Sequence, residues 1–197
     1  MSQFIESIKV EDQKAFLLDL HQQRVRETFA HFGKECSVDL EKIFKDLEHD
    51  EDGLYKLRIV YDLEGNFKSQ MLPYAFPEIE TFELVENNDF SYDFKFADRT
   101  EFENMKKKAR AQEIIIVKNG QITDTSFSNL LFLKNQTWYT PKSFLLNGVQ
   151  RQNLLKQGKI KETEITLQNL TEFSHFQLIN SMNEFNQDFV YSIEELK

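Results

Sequence analysis

A chain of 197 residues, 40% apolar and 29% charged, has the make-up of a folded globular protein of one domain or two small ones. A formal net charge of −9 disfavours nonspecific binding to nucleic acid or anionic membrane, which draws its affinity from clustered Lys and Arg. No apolar run approaches the roughly 20 residues that cross a bilayer, and MSQFIESIKVEDQ lacks the charged start and apolar stretch of a secretory signal, so a cytoplasmic protein is expected.

Phe4 to Lys9 alternates apolar and polar residues, Asp12-Gln13 offers a turn, and Ala15-Phe16-Leu17 returns extended, which predicts a hairpin. Asp19 is placed to cap a first helix ending before Gly33, with Leu18, Val25, Phe29 and Phe32 recurring along one side. A second helix is predicted over Leu40 to Leu47, with Ile43 and Phe44 inward. Asp50-Glu51-Asp52-Gly53 breaks the pattern. Tyr55, Leu57, Ile59 and Tyr61 then alternate as a half-buried strand, Glu64-Gly65-Asn66 turns, and two extended stretches reach Asn88. Asn87-Asn88-Asp89 is the predicted domain boundary, because short polar side chains favour turns and the patterns on either side differ. Beyond it Thr100-x-x-Glu103 reads as a capping box, Phe102, Met105 and Ala109 take core spacing, and Lys106 to Lys108 form a solvated face. Ile114 to Val117 reads as a buried strand, Asn119-Gly120 as a hairpin turn, and Leu130 to Leu133 as a further strand. The 19 phenylalanines predict an aromatic-rich interior.

Cys36 is the single cysteine, so neither an internal disulfide nor a thiolate metal cluster is expected. His21, His31, His49 and His175 lack the spacing of a zinc helix, and no G-x-S-x-G elbow, Walker loop or GxGxxG element is present. Taken one at a time, the remaining candidates have ordinary readings. Lys95 is one lysine among 24 basic residues, Arg24 a surface arginine, Gly148 a helix start, Asn180-Ser181 a turn, and Asp124 a cap for local amides with Thr125 and Ser126.

Together they carry a pattern. HQQR at 21–24, FKFADR at 94–99, ITDTSFSNLLF at 122–132, TPKSFLLNGVQR at 140–151 and LINSM at 178–182 resemble, in order and spacing, the class IV aminotransferases, and within them the aminodeoxychorismate lyase group. The resemblance covers nearly the whole chain. It implies an α/β (α+β) protein of fold-type IV, like D-amino-acid aminotransferase. A small α/β domain would span 1–88 and a sheet-rich cofactor domain 89–197, with pyridoxal 5′-phosphate (PLP) between them in a homodimer.

The resemblance also implies roles. Lys95 matches the Schiff-base lysine and general base, and its neighbours Phe94 and Phe96 would disfavour the ammonium form by desolvation. Arg24 is the phosphate arginine, joined by the helix start at Gly148, Val149 and Gln150, whose amides face an anion at the positive helix end, and by Asn180 and Ser181. Asp124 takes the carboxylate position beside the ring nitrogen, one methylene shorter than the family's glutamate. Asn129 and Arg99 support the site, and His21 packs by the first helix. Ser7 matches a hydroxyl position in the lyases and is either a proton-transfer group or an outward-facing strand serine. Larger relatives carry about twenty-five more residues before the Phe4 strand, so dimer geometry is expected to differ. The implied reaction is loss of pyruvate from 4-amino-4-deoxychorismate to give 4-aminobenzoate, for folate. The alternatives are transamination of a D- or branched-chain amino acid, or a noncatalytic binding protein retaining the fold. The partner is a small amino-bearing carboxylate.

Overall fold

A computed structural model describes residues 2–47, 52–186 and 190–196. His49 and the predicted break at Asp50-Glu51 lie outside them. The chain divides into two compact units, Met1–Phe76 with Phe94–Asp98, and Pro77–Asp93 with Arg99–Lys197.

In the first unit, strand β1 (Phe4–Glu11) buries every second residue, so Phe4, Glu6, Ile8 and Val10 share one face. Asp12 and Gln13 both take positive φ, 47° and 64°, the conformation of a tight hairpin turn, and lead into the two-residue β2 (Lys14–Ala15). Helix α1 (Leu18–His31) starts after Leu17, which is left-handed and offers no side-chain cap. Asp19 is therefore not the cap predicted for it. It lies in the first turn, where its charge still meets the positive helix end. Val25 and Phe29 are buried, whereas Phe32 falls beyond the last helical residue and is 40% exposed.

Helix α2 (Leu40–Asp46) is capped by Asp39, whose carboxylate accepts the Lys42 amide at 3.0 Å. Strands β3 (Leu54–Tyr61) and β4 (Phe67–Pro73) complete an antiparallel sheet of order β2-β1-β3-β4. Asp62 shapes their turn by accepting the amides of Glu64 and Asn66. The core of this unit joins Phe4, Ile8, Val25, Phe29, Leu57, Ile59 and Tyr61. The 94–98 segment belongs here because it pairs with the start of β1. The Ile5 amide donates to the Lys95 carbonyl, the Ala97 amide to that of Gln3, and Phe4 faces Phe96.

The second unit opens with β5 (Phe82–Glu86), α3 (Thr100–Lys108), β6 (Glu113–Lys118) and β7 (Gln121–Thr125). Then come β8 (Asn129–Lys134), β9 (Thr137–Pro141), α4 (Val149–Lys156), β10 (Lys161–Thr163), β11 (His175–Ile179) and β12 (Tyr191–Ser192). Two sheets result, of order β5-β6-β7 and β10-β9-β8-β11-β12. β6 is buried over five consecutive residues from Glu113, as a strand flanked on both edges should be. It turns into β7 through Asn119 and Gly120 at φ 52° and 73°. Because β5 pairs in parallel with β6, the chain before Asn87-Asn88-Asp89 belongs to this second unit rather than ending the first.

The predicted capping box is absent from α3. Arg99 is the cap residue and Thr100 is already helical, so the Glu103 amide bonds the Arg99 carbonyl. Arg99 itself anchors the segment, with its guanidinium 4.5 Å over the Phe102 ring and donating to the Ser126 carbonyl. Ile115 is fully buried among Phe82, Leu130, Phe132 and Phe176. Ile115→Ala removes three heavy atoms there and is expected to lower stability by about 3 kcal/mol in urea unfolding.

Candidate functional site

The first unit contributes a buried charge cluster. Glu6, on the core face of β1, is fully buried, and α1 brings His21 and Arg24 over it one turn apart. Arg24 donates to both carboxylate oxygens, Nε to Oε1 at 2.9 Å and Nη2 to Oε2 at 2.5 Å. His21 Nδ1 lies 2.5 Å from Oε2. Burial alone pushes the Glu6 carboxyl up, but the Arg24 guanidinium and the His21 ring outweigh it and hold it at about 2. The same burial pushes His21 down, so a neutral ring donates from Nδ1 and leaves Nε2 buried with no partner among the described residues.

Lys95 is half-buried in the strand-like segment beside β1, between Phe94 and Phe96, which are themselves half-buried. Its charge acts on His21, which places it in the neighbourhood of the cluster. Ser7 is also half-buried, on the opposite face of β1 from Glu6. Arg24 and His21 thus meet on Glu6, the Lys95 charge is felt at His21, and Ser7 lies on the other face of β1 from Glu6.

In the second unit, β7 carries Asp124 into the interior, 6% exposed. Its Oδ1 accepts the Asn129 amide group at 2.8 Å, and its Oδ2 accepts the backbone amides of Leu145 and Leu146, both at 2.9 Å. Burial pushes this carboxyl up to about 6; the bonds from Leu146, Asn129 and Leu145 and the charge of Arg151 pull the other way without cancelling it. Asn129 spends its second amide hydrogen on the Leu146 carbonyl at 2.8 Å. Gly148 caps α4 with an ordinary φ of −65°, so its glycine is required by space rather than by backbone strain. A Cβ there would stand 2.0 Å from Asn129 Oδ1.

The first amides of a helix have no carbonyl within it to bond, and those of Val149 and Gln150 meet no side-chain cap. Asn180 follows β11, and its side chain is engaged. Nδ2 donates to Ser128 Oγ at 2.9 Å, and Oδ1 accepts the amides of Met182 and Asn183 at 2.8 Å. It braces the turn that presents Ser181. Among the described residues no group of three or more His, Cys, Asp or Glu is arranged to hold a metal, and no helix is long and apolar enough to cross a membrane.

The model of the class IV aminotransferase family matches residues 3–186. The chain belongs to that family. An uncharacterized protein of Haemophilus influenzae is 31% identical over 187 residues, which cover 93% of this chain and 99% of that one. The crystal structure of a "putative 4-amino-4-deoxychorismate lyase" from Haemophilus somnus is 35% identical, with a TM-score of 0.86, covering 94% of this chain and 98% of that chain. A hypothetical aminotransferase from Mycobacterium tuberculosis, solved in its PLP-bound form, shares the fold at 14% identity and a TM-score of 0.75, covering 98% of this chain and 81% of its own. The mixed sheets and few helices are those of the fold-type IV architecture of this family.

The donor set of this class IV chain fits PLP in one respect that can be counted. A carboxylate offers about four lone-pair sites. Asp124 fills three with protein donors. Among the described residues no donor meets the remaining site on Oδ1, the donor a carboxylate-bound ring nitrogen would supply. Sequence reasoning missed Glu6, although the strand alternation signals it: a carboxylate in line with Phe4, Ile8 and Val10 demands a buried cation. It also missed the amides of Leu145 and Leu146, because no side-chain identity marks a backbone donor.

Glu6 is more acidic folded than unfolded, so its contribution to stability is full above its ordinary 4.5 and lost as pH falls toward about 2. Glu6→Gln leaves Arg24 without its counter-charge. It is expected to cost about 3 kcal/mol at pH 7 and to flatten the fall in stability across that acid window, as read by urea unfolding at a series of pH values.

Proposed function

We propose that this chain is a PLP-dependent enzyme acting on a small amino-bearing carboxylate, and that its reaction is the removal of pyruvate from 4-amino-4-deoxychorismate to leave 4-aminobenzoate. The observation that carries the cofactor reading is the buried Asp124, which three protein donors among the described residues meet, leaving one lone pair that none of them fills. The choice of reaction is supported by the likeness, at 35% identity, to the Haemophilus somnus protein.

PLP, when bound, withdraws electrons from the carbon next to the substrate's amine. Lys95 Nζ is the group assigned to carry the cofactor, and as a free amine it takes the proton from that carbon. Phe94 and Phe96 flank Lys95, and all three are half-buried. Asp124 Oδ1 holds a proton at the ring nitrogen. The phosphate falls to Arg24, to the amides of Val149 and Gln150 at the Gly148 cap, and to the turn at Asn180 and Ser181. Ser7 is assigned the later proton transfer. Departure of pyruvate leaves an aromatic ring, and that gain drives the step.

The test is a product assay paired with a chemical one. Protein supplied with PLP and 4-amino-4-deoxychorismate should form pyruvate, and borohydride treatment of the PLP-loaded protein should leave a stable adduct on Lys95. Conversion of amino-acid and keto-acid pairs without pyruvate release would replace the lyase with a transaminase. No adduct on Lys95 would remove the cofactor reading itself.

A further inference from the structure

Arg151 lies in the first turn of α4, yet it is only 2% exposed. Its Nη1 donates to Asn147 Oδ1 at 3.0 Å and its Nη2 to the Pro141 carbonyl at 3.2 Å, and it pairs with Glu162 on β10. The guanidinium plane stands 4.3 Å over the Phe144 ring. Pro141 ends β9, Phe144 is the middle of the loop that follows, and Asn147 precedes the helix cap. One side chain therefore grips the loop at its beginning, middle and end. Held inside that grip are Leu145 and Leu146, whose amides reach Asp124.

Other contacts hold the first half of the loop. Ser143 Oγ donates to the Ile122 carbonyl at 2.8 Å, and the Lys142 amide to that of Thr163 at 3.0 Å. The second half relies on Asn129, through the Leu146 carbonyl, and on Arg151. The arginine Nε is buried with no partner among the described residues. An unmet buried donor costs about 1–3 kcal/mol, which the guanidinium's other contacts must offset.

We propose that Arg151 is a positioning residue for Asp124, holding the loop so that the Leu145 and Leu146 amides stay on its carboxylate. Asp124 meets the neutral Asn129 from β8 and two amides from the loop, and the charge acting on it is that of Arg151. Each amide bond favours the ionised form against burial. Once the amides move away, burial prevails and the carboxyl takes up a proton in the neutral range. The use of this control rests on the PLP reading above, whereas the ionisation of Asp124 belongs to the chain itself.

The experiment follows the side-chain carboxyl carbon of Asp124 by 13C NMR against pH in the full chain freed of PLP, with the resonance assigned by its loss in Asp124→Asn. The native chain should titrate near pH 6. Arg151→Lys keeps the charge but not the planar fork, so it and Arg151→Met should both raise the midpoint by about one unit or more. Asn147→Ala, which removes one of the three grips, should raise it by less. A folded Arg151→Met chain with the native midpoint overturns the proposal. If that variant does not fold, a native midpoint in both Asn147→Ala and Phe144→Leu overturns it equally. Because the titration is read without PLP, its failure is distinct from absence of the borohydride adduct on Lys95.

Discussion

A carboxylate taken out of water must be met by donors or give up its charge, and that constraint on Asp124 fixes β7, the start of β8 and the loop before α4 around it. β7 carries the residue inward, β8 returns Asn129 to one oxygen, and the loop before α4 bends to deliver two amides to the other. Gly148 is glycine because Asn129 occupies the space a side chain would need. The turn between β7 and β8 is secured by Thr125, whose hydroxyl accepts the amides of Phe127 and Ser128. Each of these features would be an ordinary local motif without the buried charge they converge on.

Glu6 shows the other outcome of the same physics. Both carboxylates are buried, but Glu6 faces a full guanidinium charge and is held at about 2, whereas Asp124 faces mainly neutral donors and rises to about 6. The first is a permanent anion that neutralises and fixes Arg24. The second is poised near neutrality and responds to its surroundings. A bidentate partner that locks the arginine's orientation suits the phosphate role proposed for Arg24. A poised acid suits a partner nitrogen whose own proton is at stake.

Much of the fold was legible because its signals are local. Alternation marks β1 and β3, the unbroken apolar run from Ile114 to Val117 marks β6, and Asn119-Gly120 marks its hairpin. The family resemblance singled out Asp124, Asn129 and Gly148, which the structure brings together around one carboxylate. Pairings distant in sequence escaped. The 94–98 segment joins β1 at the far end of the unit, and β5 pairs with β6 across α3, so the division of the chain does not fall at its most polar turn. The short β10 and β12 have too few residues to show a period. Asp19 and Thr100 look like caps by type, but α1 begins two residues and α3 one residue earlier than those caps suggest. The amides on Asp124 left no trace in the sequence, since every residue has one.

The central claim is that Asp124 keeps a proton on the ring nitrogen of bound PLP. 15N NMR of the chain loaded with ring-labelled PLP reads that proton directly. The account predicts a pyridinium resonance in the native chain at neutral pH and a neutral pyridine resonance in Asp124→Asn. The same resonance in both chains would contradict it.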